Sequence, residues 1–319
     1  MNKLYIILLI ILNILALIGF IYIIISIITY FKFKKYELFI SKVLRNKIHC
    51  GKLDCYPGFI NVDIPIFSTN YDKKMAIYCI DIIQRIYDTT DNNNNKLILP
   101  KNVNLKTTIK YKSAEGIFGI ICTNKDTILL IFRGTVYIDE WAKNINVEQS
   151  FFLLHQDIKN NNALQDIDLA PSVHKGFYEI YNKIKSEIFS VLNNLNPSKN
   201  KNIIITGHSL GSAIATICTV DLHYNNYKNI VTYIFACPRV GNKKFAQLIQ
   251  NLPIYSIINT LDIIPSIPPA VVPNFNDINQ PYIYFDAGKI ARFQDNWDSI
   301  LNNHLLPIYL HNLPDKIDS

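Results

Sequence analysis

Residues 207–211 read Gly-His-Ser-Leu-Gly, a G-x-S-x-G pentad. A serine at the tip of a sharp strand-to-helix turn exposes its Oγ, and bulky side chains two positions to either side would collide. The chemistry that suits such a serine is nucleophilic attack on an acyl carbonyl. That requires a base to take the Oγ proton and a carboxylate to orient the base. When such an elbow carries a triad, acid and base follow the serine in the chain.

Three histidines follow Ser209: His223, His304 and His311. His223 would lie about four turns along the helix leaving the elbow, too far to reach back. His304 follows the polar pair Asn302-Asn303, in a loop ahead of a terminal helix, whereas His311 would sit at that helix's far end. His304 is the better-placed base, with His311 the alternative. No Glu follows Ser209. Asp262 comes just past an apolar strand, at the sheet edge where ligands bind. Asp221 belongs to the elbow helix, and Asp277, Asp286, Asp295 and Asp298 lack comparable placement. An oxyanion needs preorganised donors. Leu210 supplies a backbone N–H by position, and Thr135, after a strand that ends in Arg133-Gly134, offers an N–H and a hydroxyl.

These residues need a scaffold. Asn202–Thr206 (NIIIT) is an unbroken apolar run of the sort buried on both faces of a parallel sheet. Further strands are expected at Thr108–Lys112, Ile117–Cys122, Thr127–Arg133, Ile230–Ala236, Ile254–Asn259 and Tyr282–Phe285. Helices are expected at 73–88, with Ala76, Cys79, Ile80, Ile83 and Ile86 along one side, and at Gly176–Leu195, Ser212–Tyr224, Lys243–Gln250 and Pro307–Leu310. Strands alternating with helices imply an α/β domain with a largely parallel sheet. No linker interrupts the chain after about residue 60, so 61–319 reads as one domain.

The 319 residues are 49% hydrophobic and 18% charged, which excludes a disordered chain. The six cysteines show no framework spacing. The formal net charge is +7, and most of it lies in the basic segment 32–60, where between Phe31 and Lys52 stand Lys32, Lys34, Lys35, Lys42, Arg45, Lys47 and Lys52 against Glu37 alone. A folded domain without excess positive charge argues against a nucleic-acid partner. Residues 4–31 contain no charged side chain. As a helix they would extend roughly 42 Å against a hydrocarbon core of roughly 30 Å. They read as a retained transmembrane anchor and not as a cleaved signal, whose apolar stretch spans about 7–15 residues. The basic C-terminal flank predicts a single-pass protein whose large domain faces the cytoplasm. The sole N-x-S/T triplet, Asn196-Pro197-Ser198, is blocked by its proline. The collar could also hold anionic lipid head groups. His49, Cys50 and Cys55 lack a second ligand pair at metal spacing, so neither a metal nor a cofactor is expected.

With these residues in place, the chain resembles the class 3 lipases, the fungal-lipase-like branch of the α/β-hydrolases. The motifs run in family order. First are Phe132-Arg133-Gly134-Thr135 with Glu140-Trp141, and His174-Lys175-Gly176-Phe177 leading to Tyr181. Next are Gly207-His208-Ser209-Leu210-Gly211, the stretch from Phe235 to Asn242, Asn259-Thr260-Leu261-Asp262-Ile263-Ile264-Pro265, and the segment opening at His304. The resemblance covers about residues 70–312. It implies an α/β-hydrolase fold, Ser209, Asp262 and His304 as the triad, Thr135 and Leu210 as oxyanion donors, and a lipid ester as substrate. His174 matches a family histidine near the nucleophile's supporting structure. Ala236 stands where the family usually has Gly, and Glu140 where Asp is commoner. Residues 137–146 match the family's lid, which implies a short amphipathic helix, with Tyr137, Ile138 and Trp141 apolar, that closes over the pocket in water and opens at a lipid surface; the alternative for Trp141 is a packed structural side chain. Rival readings are an acyltransferase on the same triad, a non-catalytic membrane binding protein of this fold, and a membrane-tethered scaffold.

Overall fold

The computed structural model describes residues 24, 27–28, 31, 62–91, 96–111, 116–135, 147–152, 170–274, 277, 279–299 and 302–317. Its centre is a seven-stranded sheet in the order β1 (Asn104–Ile109), β2 (Gly119–Thr123), β3 (Thr127–Phe132), β6 (Asn202–His208), β7 (Ile230–Phe235), β8 (Ile254–Asn259) and β11 (Lys289–Phe293). β3, β6, β7, β8 and β11 run parallel, and β1 and β2 continue the sheet antiparallel. Two short ribbons flank it, β4 (Gln149–Phe151) with β5 (Ser172–His174), and β9 (Val271–Val272) with β10 (Tyr282–Ile283).

The parallel strands read as unbroken apolar runs because helices cover both faces. Leu129, Ile131 and Ile204 point to a core built with α1 (Lys73–Asp91) and α5 (Leu306–His311). Their neighbours Ile128, Leu130, Ile203 and Ile205 point to a second core with α2 (Lys175–Leu195), α3 (Leu210–Tyr224) and α4 (Lys243–Ile249). The period of two along each strand thus feeds both layers. Cys79, Cys122, Cys218 and Cys237 are free and buried in these cores.

Three expectations change. α1 is buried nearly all round, with Tyr78 and Ile82 as sequestered as the expected apolar side. Its polar residues survive there by pairing, Arg85 with Asp81 at 2.8 Å and Gln84 with Asp88 at 3.0 Å. The first strand is Asn104–Ile109 in place of 108–112, set by its antiparallel register on β2. The expected strand at Tyr282–Phe285 shortens to Tyr282–Ile283 and lies outside the main sheet, whose edge is instead β11.

The chain enters at the edge where the parallel strands begin. The Asn102 amide, just ahead of β1, donates to Asp63, and Tyr255, near the start of β8, donates to the Thr69 carbonyl. The Asp72 N–H donates to the Tyr233 hydroxyl, and Lys73 pairs with Asp315. α1 then runs toward the opposite edge, where the strands end. Residues 4–31 and 32–60 lie almost wholly outside the described residues, as do His49, Cys50 and Cys55. Among the described residues no helix is long and apolar enough to cross a membrane.

Candidate active site

The elbow is built by two glycines. A Cβ on Gly207 would strike the Gly211 carbonyl, and one on Gly211 would strike the Phe132 carbonyl. β6 can therefore turn straight into α3 while lying against β3. Ser209, at the tip, takes φ 56° and ψ −128°, a region that favours glycine. The conformation is held from both sides. The Ser209 N–H donates to the Phe235 carbonyl at 3.0 Å. The Ser212 hydroxyl lies 2.7 Å from the Gly207 carbonyl and 2.8 Å from that of Phe235.

Sheet register brings the partners to the same edge. Phe132 is opposite Gly207, and His208 is opposite Phe235, which is opposite Ile257. The Arg133–Thr135 turn, the elbow and the end of β8 therefore lie side by side. Asp262 follows β8, and His304 comes from a short 3-10 turn before α5. His304 Nδ1 lies 2.6 Å from Asp262 Oδ2. The same oxygen accepts the Tyr309 hydroxyl at 2.6 Å, and Oδ1 accepts the Ile264 N–H at 2.9 Å. Burial, and then Asp262, push the Tyr309 phenol far above its usual range, so it remains a donor. Asn259 ties the acid and base loops together, donating to the Asn303 carbonyl at 3.2 Å.

Two polar atoms at this edge are buried without a hydrogen-bond partner among the described residues: Thr135 Oγ1 and His304 Nε2. Leu210 opens α3, whose first-turn N–H groups lack intrahelical acceptors. The arrangement can present a nucleophile, a base with a bare nitrogen, and donors for an oxyanion. No three His, Cys, Asp or Glu side chains among the described residues gather so as to hold a metal ion.

The alternatives fall elsewhere. His311 is exposed at the end of α5 against Trp297, and His223 is exposed against Tyr224. Asp286 pairs with Arg239 and Arg292, and Asp295 accepts from Trp297 and Asn312. Asp298 sits at a positive φ in a bend, and Asp277 accepts from the Asn279 N–H. His174 caps α2 through the Phe177 N–H and stacks on that ring at 4.1 Å. Burial lowers it to about 3. Residues 137–146, with Glu140 and Trp141, lie outside the described residues.

Sequence reasoning passed over Tyr309, His208 and Tyr87. His208 Nδ1 lies 2.8 Å from the Tyr87 hydroxyl, and its Nε2 lies 2.9 Å from the His304 carbonyl. His208 lies within the elbow pentad, one residue before the nucleophile, and Tyr309 lies five residues past the base. Tyr87 offers no local signal, since it meets the site across 121 residues of chain.

Comparison with known proteins points the same way. Residues 129–272 match the family model described as Lipase (class 3), a span that includes Thr135, Ser209, Leu210 and Asp262 and ends before His304. A lipase of Rhizomucor miehei is 29% identical over 154 residues, 46% of this chain and 39% of that protein. A secreted mono- and diacylglycerol lipase of Malassezia globosa is 29% identical over 46% of this chain and 51% of its own length. A chloroplastic phospholipase A(1) of Arabidopsis thaliana is 26% identical over 60% of this chain and 52% of its own. The chain thus spans about half, or less, of the length of these relatives. Among solved structures, the triacylglyceride lipase of Rhizomucor miehei superposes with a TM-score of 0.53 at 21% identity, over 70% of this chain and 80% of that one. A lipase of Rhizopus microsporus var. chinensis gives 0.50 at 21%, over 72% and 84%. The chain shares the α/β-hydrolase fold of these solved structures, and its residues 129–272, under half of its length, are similar to the class 3 lipase family model.

Proposed function

We propose that this protein is a serine carboxylester hydrolase acting on glycerolipid esters. Ser209 is the nucleophile, His304 the base, Asp262 its orienting acid, and Thr135 and Leu210 the oxyanion donors. The observation that carries the reading is the buried Asp262–His304 pair beside a strained serine elbow, with His304 Nε2 and Thr135 Oγ1 both unpartnered among the described residues. Ser209 Oγ attacks the acyl carbonyl while Nε2 accepts its proton. Thr135 and the Leu210 N–H hold the tetrahedral oxyanion. His304 then protonates the leaving alcohol, and water, deprotonated by the same nitrogen, releases the fatty acid. The relatives named as acylglycerol lipases and as a phospholipase A(1) support the substrate class without choosing within it.

Residues 4–31 are proposed as a membrane anchor, supported by 28 uncharged residues followed by the basic collar, with the large domain on the cytoplasmic side. Labelling with a fluorophosphonate probe, followed by fatty-acid release from acylglycerol and phospholipid vesicles, tests the chemistry. Ser209→Ala should lose labelling and lower turnover by about 10⁴-fold or more while staying folded. Absence of labelling in folded wild-type protein would refute the reading. Protease protection on sealed vesicles tests the topology, and a large domain on the non-cytoplasmic side would refute that assignment.

A further inference from the structure

His208 is fully buried, and its ring lies 4.6 Å from that of His304. Its Nε2 faces the His304 carbonyl, which can only accept, so Nε2 carries the ring proton. Burial, then the neighbouring His304, hold this imidazole well below its usual range, so it is neutral and Nδ1 is a bare acceptor. The Tyr87 hydroxyl therefore donates to Nδ1. The same hydroxyl accepts the Gly134 N–H at 2.7 Å.

The bonds all point one way: Gly134 N–H to Tyr87, Tyr87 O–H to His208, His208 Nε2–H to the backbone of the base. Gly134 is also pinned through its carbonyl, which accepts from the Arg133 guanidinium at 2.6 Å. A Cβ on Gly134 would lie 2.5 Å from the Tyr87 oxygen and 2.8 Å from Ser209 Cβ, so the turn is pressed directly onto the elbow. The peptide joining Gly134 to Thr135 is planar and trans, so fixing the Gly134 carbonyl fixes the Thr135 N–H on its opposite side.

We infer that Tyr87 and His208 are positioning residues that lock the oxyanion turn and the base loop to one another across the nucleophile. Both side chains are fully buried, so they act through the groups they hold and not on substrate. Their role is to hold the Thr135 donors and His304 at a constant separation while charge moves between them. The inference rests on the function proposed above. Ångström-scale misplacement of such groups can cost about 10²-fold in rate.

The test uses the full chain, a soluble p-nitrophenyl ester, and an alkylboronic acid that mimics the tetrahedral oxyanion. Tyr87→Phe should lower kcat by about 10- to 100-fold, leave KM within about twofold, and weaken boronate binding by the same factor as kcat. In the wild-type protein, ¹⁵N shifts of the His208 ring should show Nε2–H and a bare Nδ1. Tyr87→Phe that lowers only the denaturation midpoint, with kcat and boronate affinity unchanged, would overturn the inference. So would a proton on Nδ1, a reading that decides the matter even where the variant fails to fold. Wild-type protein inert toward every ester would instead defeat the function proposed above.

Discussion

Thr135 carries a hydroxyl that is buried and has no hydrogen-bond partner among the described residues. An unmet polar group of this kind costs about 1–3 kcal/mol, and proteins tolerate that cost where a transient partner arrives. Thr135→Val keeps the shape and removes the group. The expected outcome is a loss of about 10² in kcat with little change in KM, together with a rise of up to about 1 kcal/mol in folding stability. Thr135→Ser should restore most of the rate. Esterase kinetics and urea unfolding of the three proteins measure both effects, and a valine variant that keeps full kcat would remove the hydroxyl from the oxyanion site. At this sheet edge His304 Nε2 is the other unmet atom among the described residues, and the two share one requirement: the donor and the base must be ready before the substrate is.

The elbow was legible because its determinants are local. Gly207 and Gly211 sit two residues from Ser209, and their steric reason is contained in the turn itself. β6, β7 and β8 were legible because burial on both faces leaves an unbroken apolar run. β11 was not. Its sequence, Lys-Ile-Ala-Arg-Phe, mixes charge with hydrophobicity because it is an edge strand whose residues are half-buried or exposed. β1 slipped for the same reason, with an exposed polar start whose limits come from pairing with β2. The Tyr87 contact was out of reach because no local pattern encodes a partner that far along the chain. Between helices, Asp221 joins α3 to α2, accepting from the Tyr181 hydroxyl at 2.6 Å and from Lys185 at 2.7 Å. Lys185 is 39% exposed, so its share is screened and small. The buried Tyr181 hydroxyl carries most of the effect. Asp221→Ala should cost about 2 kcal/mol of stability. It sits roughly 18 Å along the helix from Ser209, so kcat should stay within about twofold. A matching loss of kcat would mean that α3 transmits strain to the elbow.

For the molecule as a whole, two buried histidines set the acid limit. Burial lowers His174 to about 3 and holds His208 well below its usual value. The unfolded chain takes up protons near pH 6.5 that the folded chain refuses, so stability is complete above that pH and falls as the solution is acidified. A ring held as low as His174 contributes roughly 1.4 kcal/mol per pH unit below that point. His174 should therefore remove roughly 2 kcal/mol between pH 6.5 and 5, and His208 adds to the loss in the same direction. Urea midpoints at pH 7, 6 and 5 measure this, and His174→Asn should reduce the slope. A flat profile would mean that these rings are charged in the native state. The point of entry of the chain has a geometric consequence. Asp63, Thr69 and Asp72 fasten it where the parallel strands begin, and Ser209 sits where they finish. A protein held through residues 4–31 would therefore hang with its reactive rim turned away from its own attachment. Residues 32–60 number 29 and reach at most about 100 Å when drawn out. If residues 4–31 anchor the protein as proposed, that length would let the body roll over and graze the bilayer, and shortening the stretch should then switch off hydrolysis of membrane lipids before it affects soluble esters.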